Sequence, residues 1–239
     1  MQYELIGYRD WTEALKWGFL AEHVTAVRWE ATPHPAYTEL LKLVGEKGHF
    51  VLTTNVEGMF AKSGFTEERI YTPQGSYARY QCLQPCTTDT WPLKPVVDRI
   101  RPSIDASTQE ITDPELVPLC PHGGGPVFMN VRGGNWFIDA PYREQEDRFY
   151  AWLEKTTAGA LVIVEIGSGF NTPGVIRWPM EAITRQHQSA RLIRVNVDHP
   201  EVPAALSTRA ISIRGRAIEW VRALRRPAGC PSHTGARDE

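Results

Sequence analysis

Residues 160–166 read A-L-V-I-V-E-I, a short apolar run rich in β-branched residues and closed by the small turn Gly167-Ser168-Gly169. Such a run predicts a strand buried on both faces, which requires a parallel sheet covered by helices on either side. The pattern then alternates. A helix is expected from about Gly174 to Gln188, a strand over Arg191–Val197, a short helix at Ala204–Leu206, a short strand at Ala210–Ile213 and a helix over Gly215–Arg225. Upstream, Trp11–Val24 places Trp11, Leu15, Phe19, Leu20 and Val24 at helical spacing, Ala36–Val44 forms a second helix stopped by Gly45 and Gly48, and His49–Thr53 reads as a strand leading to Asn55. Strands alternating with helices imply right-handed crossovers, so the expected fold is α/β with a Rossmann-like parallel sheet.

The stretch Gln81–Gly134 breaks this rhythm, with three of the four cysteines, many prolines and no sustained period. A long loop without structure of its own is unusual inside a compact domain, and a metal is one way to organise it. Cys82-x3-Cys86 lies within the spacing that lets two thiolates reach one tetrahedral zinc. Cys120 opens C-P-H-G-G-G-P, the glycine-rich turn of a second knuckle with one cysteine, and His122 is the nearest candidate for a fourth ligand. The alternative is a degenerate knuckle whose cysteines are merely buried. Closely spaced thiols fit a reducing compartment better than a disulfide framework. Cys230 stands apart and is expected to do nothing.

Charge excludes several classes of function. Lys and Arg number 26 against 28 Asp and Glu, so no field of one sign is available to hold a nucleic acid or an anionic membrane. No apolar run approaches the ~20 residues needed to span a bilayer. The N-terminus lacks a basic start and an apolar stretch of signal type, so a cytoplasmic location is expected. There is no G-x-S-x-G elbow, no phosphate loop of the G-x4-G-K kind and no H-E-x-x-H, which argues against hydrolytic triads and metalloproteases. His23, His34, His49, His187 and His199 stand in no recognisable pair with a carboxylate or a nucleophile and read as ordinary histidines.

Open parallel sheets bind ligands beyond the carboxyl ends of their strands. Asn55, Gly167-Ser168-Gly169 and Asn196 all follow or end expected strands. Gly, Ser and Asn are also what any strand-to-helix turn needs, but three such sets at separate strand ends favour a nucleotide-type ligand.

These motifs, in this order, resemble the sirtuin family of NAD-consuming protein modifiers. V-L-T-T-N-V-E-G-M-F-A-K-S-G at Val51–Gly64 is similar to the family's T-Q-N-I-D-G-L-H-x-x-A-G. Tyr71–Cys86 resembles the segment in which a catalytic histidine precedes Gly-Ser and the first zinc knuckle. Leu161–Pro173 resembles the G-T-S-x-x-V-x-P-A block, and Leu192–Asn196 the I-x-x-I-N strand. Within the family, Thr53-Thr54-Asn55-Val56, the Cys82–Cys86 spacing, Gln74-Gly75 in place of His-Gly, and Gly169–Gly174 resemble the macrodomain-linked class, whose members modify lipoylated carrier proteins by ADP-ribosylation. The family's opening strand, with its Gly-Ala-Gly-x-Ser turn, has no counterpart here, so the sheet is expected to be incomplete at its N-terminal side. A chain starting at Met1 is accordingly expected to bind NAD feebly.

The resemblance implies NAD as cosubstrate and zinc as structural metal. Asn55 and Gln74 would act at the nicotinamide ribose, with Thr54 and Glu57 beside them, while Gly167, Ser168 and Asn196 would hold the adenosine half. Cys82, Cys86, Cys120 and His122 would be the metal ligands. A deacylating sirtuin needs a group titrating near neutrality to take a proton from a ribose hydroxyl. Glutamine cannot do this, so ADP-ribosyl transfer to a protein, for which the resemblance implies a lipoylated carrier and a macrodomain partner, is expected ahead of deacylation or of a catalytically inactive remnant acting as a binding module. The expected domains are residues 1–80 with 135–226 as an NAD-binding Rossmann-like domain, 81–134 as a small zinc-binding-like module, and 227–239 as a disordered tail.

Overall fold

The computed structural model describes residues 10–156 and 159–225. The expected tail and Cys230 lie outside the described residues. In chain order the elements are helix α1 (Glu13–Val24), continued as a π-helix over Thr25–Glu30; helix α2 (Pro35–Val44); strand β1 (Val51–Leu52); helix α3 (Met59–Lys62); and strands β2 (Ile70–Tyr71), β3 (Gly75–Cys82) and β4 (Thr90–Pro92). Then come helix α4 (Lys94–Ile100), strand β5 (Val127–Val131), helix α5 (Arg143–Lys155), strand β6 (Val162–Ile166), helix α6 (Arg177–Gln186), strands β7 (Arg191–Asn196) and β8 (Ala210–Arg214), and helix α7 (Ala217–Arg225).

The chain divides into two compact units. The first comprises residues up to Pro33 and Phe50–Glu154, and the second His34–His49 and Lys155 onward.

In the first unit β1 and β2 pair in parallel, Val51 opposite Ile70 and Leu52 opposite Tyr71. Beside them stands an antiparallel sheet in the order β4-β3-β5, whose strands begin, interrupt and close the stretch that showed no period in the sequence. Its pairing is non-local, Tyr80 opposite Met129 and Cys82 opposite Val127, so no local alternation advertises it. The core gathers Trp17, Leu20 and Val24 of α1 with Leu93, Val97, Ile100, Val127 and Met129. Its helical contribution differs from the expected one: Trp17, Leu20, Ala21 and Val24 are buried, whereas Trp11, Leu15 and Phe19 are only partly covered. Gly18 explains the rotation. A Cβ there would stand 2.0 Å from the carbonyl oxygen of Gln109, so the helix presents its smallest residue to the loop that carries Gln109.

In the second unit β6, β7 and β8 form a parallel sheet in sequence order, with Ile163 opposite Leu192 and Ile193 opposite Ile211. Thr12 caps α1 by accepting from the Leu15 amide, and Pro35 opens α2 at its first turn, both ordinary helix starts. The expectation that residues 160–166 are buried on both faces is corrected here. The strand is Val162–Ile166 and alternates, with Ile163 and Glu165 buried while Val162 and Val164 are 57% and 38% exposed. Among the described residues β6 pairs only with β7. Its inner face carries charge beside hydrocarbon: Arg194 of β7 donates to both carboxylate oxygens of Glu165 at 2.7 and 2.9 Å and to Glu181 of α6 at 2.9 Å, all three side chains buried.

No helix among the described residues is long and apolar enough to cross a membrane.

Candidate functional site

In the first unit the loops leaving β1 and β2 carry the residues that the motifs single out. Thr53–Gly58 follows β1, and Thr72–Gln74 follows β2. Because the two strands are parallel and adjacent, both loops leave the same carboxyl end, where ligands of such sheets bind.

The first loop is held from three sides. Thr53 accepts from the Asn55 amide at 3.1 Å through its hydroxyl, a turn that tightens the bend. The amide of Tyr77 in β3 donates to the Val56 carbonyl at 2.9 Å. Arg28, in the π-helix, donates from Nη1 to the Glu57 carbonyl at 2.9 Å. Gly58 follows at φ +82°, and a Cβ on it would lie 2.5 Å from Arg28 Nη1, so a glycine is required both by backbone conformation and by the guanidinium that holds its neighbour. Lys62, one turn on, donates from Nζ to the carbonyls of Trp29 and Ala31 at 2.9 and 2.5 Å. It thereby satisfies acceptors that a helix end leaves open. Burial pushes the Arg28 guanidinium below its ordinary value, opposed by the nearby charges of Glu57 and Glu67. π-Helical turns recur at functional sites. This one supplies a cation under the loop that carries Asn55.

The second loop is fixed as firmly. The Gln74 carbonyl accepts from the Arg132 amide at 2.9 Å, and Arg132 Nε donates to the Pro73 carbonyl at 3.2 Å. Gly75, at φ +93°, lets the chain pass so close to β5 that a Cβ would meet the Asn130 oxygen at 2.1 Å. Behind this contact, Asn130 and Gln81, both fully buried, form a polar knot. Asn130 Nδ2 donates to Gln81 Oε1 at 2.6 Å and to the Ile138 carbonyl at 2.9 Å, and the Tyr142 hydroxyl donates to Asn130 Oδ1 at 2.5 Å. Burial raises the Tyr142 phenol well above its ordinary range, so it stays a neutral donor. Arg28, Arg132, Asn130 and Tyr142 escaped the sequence reading. The signal for two of them was available: Arg132-Gly133-Gly134 is a glycine-rich turn directly after an apolar strand.

The cysteines come together. The sulfurs of Cys82, Cys86 and Cys120 all lie within 4.8 Å of one another, and Cys86 and Cys120 are 3.5 Å apart. Burial pushes the Cys120 thiol up, but the backbone N–H groups of Gly123 and His122, together with hydrogen bonds from Cys86 and Cys82, leave that thiol below its ordinary value. Cys86, hydrogen-bonded to Cys120, is pushed up to about 11. Three sulfurs close enough to share one ion, one of them buried beside backbone amides, suit a thiophilic ion, and zinc fits this donor set. His122 points elsewhere. Its Nε2 lies 3.3 Å from Asp89 Oδ2, and its ring packs against Trp91.

In the second unit Gly167-Ser168-Gly169 leaves β6 and Asn196 ends β7, again at the carboxyl ends of neighbouring parallel strands. Gly167 takes φ +70° and donates to the Val195 carbonyl at 2.9 Å. Asn196 turns its amide inward. Nδ2 donates to the Ser168 carbonyl at 2.9 Å, and Oδ1 accepts from the amides of Asp198 and His199 at 3.0 Å each. Arg177, almost wholly buried, does the same from below, donating to the carbonyls of Ser168, His199 and Glu201. Asn196 is therefore built into the frame of the two loops.

No family model matches the chain. It is 39% identical over 203 residues to a probable bifunctional ADP-ribose hydrolase/ADP-ribosyltransferase of Fusarium oxysporum f. sp. cubense, a match covering 82% of this chain and 34% of that protein. It is 26% identical over 215 residues to a protein ADP-ribosyltransferase of Staphylococcus aureus, covering 89% of this chain and 67% of that one. The chain thus spans about a third of the length of the fungal relative and two thirds of the bacterial one. Among solved structures it is similar to a Sir2-homologue mutant in complex with ADP ribose, with TM-score 0.60, 19% identity, and 94% of this chain and 78% of the other covered. A second Sir2-homologue mutant, in complex with 2'-O-acetyl ADP ribose, matches with TM-score 0.55 and 20% identity over 88% of this chain and 74% of the other. At such identities these likenesses establish the fold.

Proposed function

We propose that this chain belongs to the sirtuin family, transfers ADP-ribose from NAD to a protein and releases nicotinamide. The observation that carries the reading is the pair of loops at one end of β1 and β2, with Asn55 on one and Gln74 on the other. A catalytic base is the group that deacylation needs and a glutamine cannot supply. Ribosyl transfer asks less of that position: NAD brings its own leaving group, and catalysis can rest on holding the ribose and the incoming nucleophile in register. The fungal and bacterial relatives, both named for ADP-ribosyltransferase activity, support the same reading.

In this proposal Asn55 and Gln74 orient the nicotinamide ribose, with Thr54 and Glu57 lining the same loop. Gly167 and Ser168 face the adenosine half, and Asn196 holds their loop in shape. Zinc at Cys82, Cys86 and Cys120 would tie the knuckle to the β3–β5 sheet and take no part in the chemistry, its fourth ligand a water or His122 turned away from Asp89. Domain boundaries at residues 80 and 134 would then separate the knuckle from the nucleotide-binding frame. The acceptor would be a protein, and we favour a lipoylated carrier in the cytoplasm. A macrodomain would reverse the modification, in keeping with the hydrolase half of the fungal relative's name.

The test is direct. With NAD labelled in the adenylate moiety and a lipoylated carrier, label is expected on the carrier, and Asn55→Ala is expected to abolish it. Release of O-acyl-ADP-ribose from an acylated peptide without protein labelling would establish the deacylase alternative instead.

A further inference from the structure

Phe170 stands immediately after the Gly167-Ser168-Gly169 turn and is 53% exposed. Leaving a phenyl ring in water sacrifices stabilisation that burial would give, yet this ring is held in place. The Arg177 guanidinium lies over it at 4.4 Å from the centroid, within cation–π range. The His199 imidazole meets it edge-on at 5.0 Å and 77°. Arg177 is itself immobilised, almost wholly buried and bonded to three backbone carbonyls of the same two loops. The His199 backbone is pinned by Asn196. One face of the ring therefore rests on a fixed cation and one edge on a fixed imidazole, while half of its surface stays open at the carboxyl ends of β6 and β7, where a parallel sheet receives its ligand.

We infer that Phe170 is a stacking platform for a purine base, the adenine of the dinucleotide in the proposed reaction. Three considerations favour a flat aromatic ligand. The ring's rotation is already restrained, so little further freedom is lost when a base settles on it. Stacking on an aromatic side chain is a recurrent way to hold a base where hydrogen-bond donors are scarce. The polar groups nearest the turn are also turned inward: the Asn196 amide and the Arg177 guanidinium both serve the loops. The inference rests on the NAD reading for the identity of the base, and on Phe170, Arg177 and His199 alone for the platform.

Titration calorimetry of the full chain with ADP tests it, using the wild type, Phe170→Leu and Phe170→Trp. Leucine keeps apolar bulk and removes the π-face; tryptophan keeps the face. Phe170→Leu is expected to weaken ADP binding roughly 5- to 100-fold, while Phe170→Trp binds as tightly as the wild type or more so. Adenine absorbance should show hypochromism on binding to the aromatic variants only. A Phe170→Leu variant that binds ADP as well as the wild type overturns the platform and leaves the transferase reading intact. A platform confirmed with ADP while labelled NAD transfers nothing to any protein overturns the transferase reading alone. Wild-type protein that binds no ADP overturns both.

Discussion

Replacing Arg194 with methionine should cost the second unit much of its stability. The guanidinium makes two short bonds to Glu165, one to Glu181 and one to the Glu201 carbonyl, the last at 2.6 Å. Glu165 is buried and lies on the inner face of β6. Breaking a buried ion pair from one side strands the remaining charge and costs ~3–5 kcal/mol. The nearest remaining cation, Arg177 Nη1, is 3.9 Å from Glu165, close enough to soften the loss, so we expect the lower end, about 3 kcal/mol. At a urea slope of about 2 kcal/mol per molar, the midpoint should fall by roughly 1.5 M. Adding Glu165→Gln removes one of the two stranded carboxylates, Glu181 keeping Arg185 4.0 Å away, and should recover part of the loss, because the penalty belongs to uncompensated carboxylates rather than to a missing attraction. Circular dichroism followed through urea titrations of the wild type, Arg194→Met and the double variant measures all three. A single variant whose midpoint stays within about 0.3 M of wild type, or a double variant less stable than the single, would refute the reasoning.

Two further outcomes test the first unit. Gly75→Ala places a methyl group 2.1 Å from the Asn130 oxygen at a φ of +93°; we expect a loss of about 2 kcal/mol or more and of label transfer, read by thermal denaturation and by carrier labelling, because the strand must retreat and carry Gln74 with it. Purified protein should hold about one equivalent of zinc, and Cys82→Ala should lose the metal and most soluble expression; folded wild-type protein that is metal-free and indifferent to chelator would remove the knuckle from the structure.

What could be read from the sequence was what is local. The turn after Ile166, the end of the strand at Asn196 and the cap at Gly45 are fixed by a few neighbouring residues with special backbone needs, and the structure places elements close to the expected bounds. The three cysteines converge because a C-x3-C spacing and a glycine-rich turn each carry their own geometry. Pairing across the chain could not be read. The β3–β5 sheet joins segments about fifty residues apart through prolines and loops, and the Arg28–Glu57 bond links a π-helix to a loop 29 residues downstream. A charge in a buried strand is another case: Glu165 needs a partner that its neighbours in sequence do not name, and only the register of β6 against β7, which sets it opposite Arg194, shows that the two neutralise one another inside.

Asn196 illustrates why a motif can mark the right place and the wrong task. Small polar residues collect at the carboxyl ends of parallel strands because two tight loops must be joined there, and an asparagine amide can donate to one while accepting from the other. Asn196 does both, bridging Ser168 to Asp198 and His199. A side chain so employed gives a ligand little beyond the shape of the loop it holds. The groups left to meet a ligand are those the frame pins without consuming, and in the second unit Phe170 answers that description: its ring is restrained by Arg177 and His199, and half of it is still bare. In the first unit the backbone of Glu57 is consumed by Arg28 and that of Gln74 by Arg132. Both residues stand on loops fixed through their backbones, and rigidity at such positions is what a reaction that depends on orientation rather than on proton transfer demands.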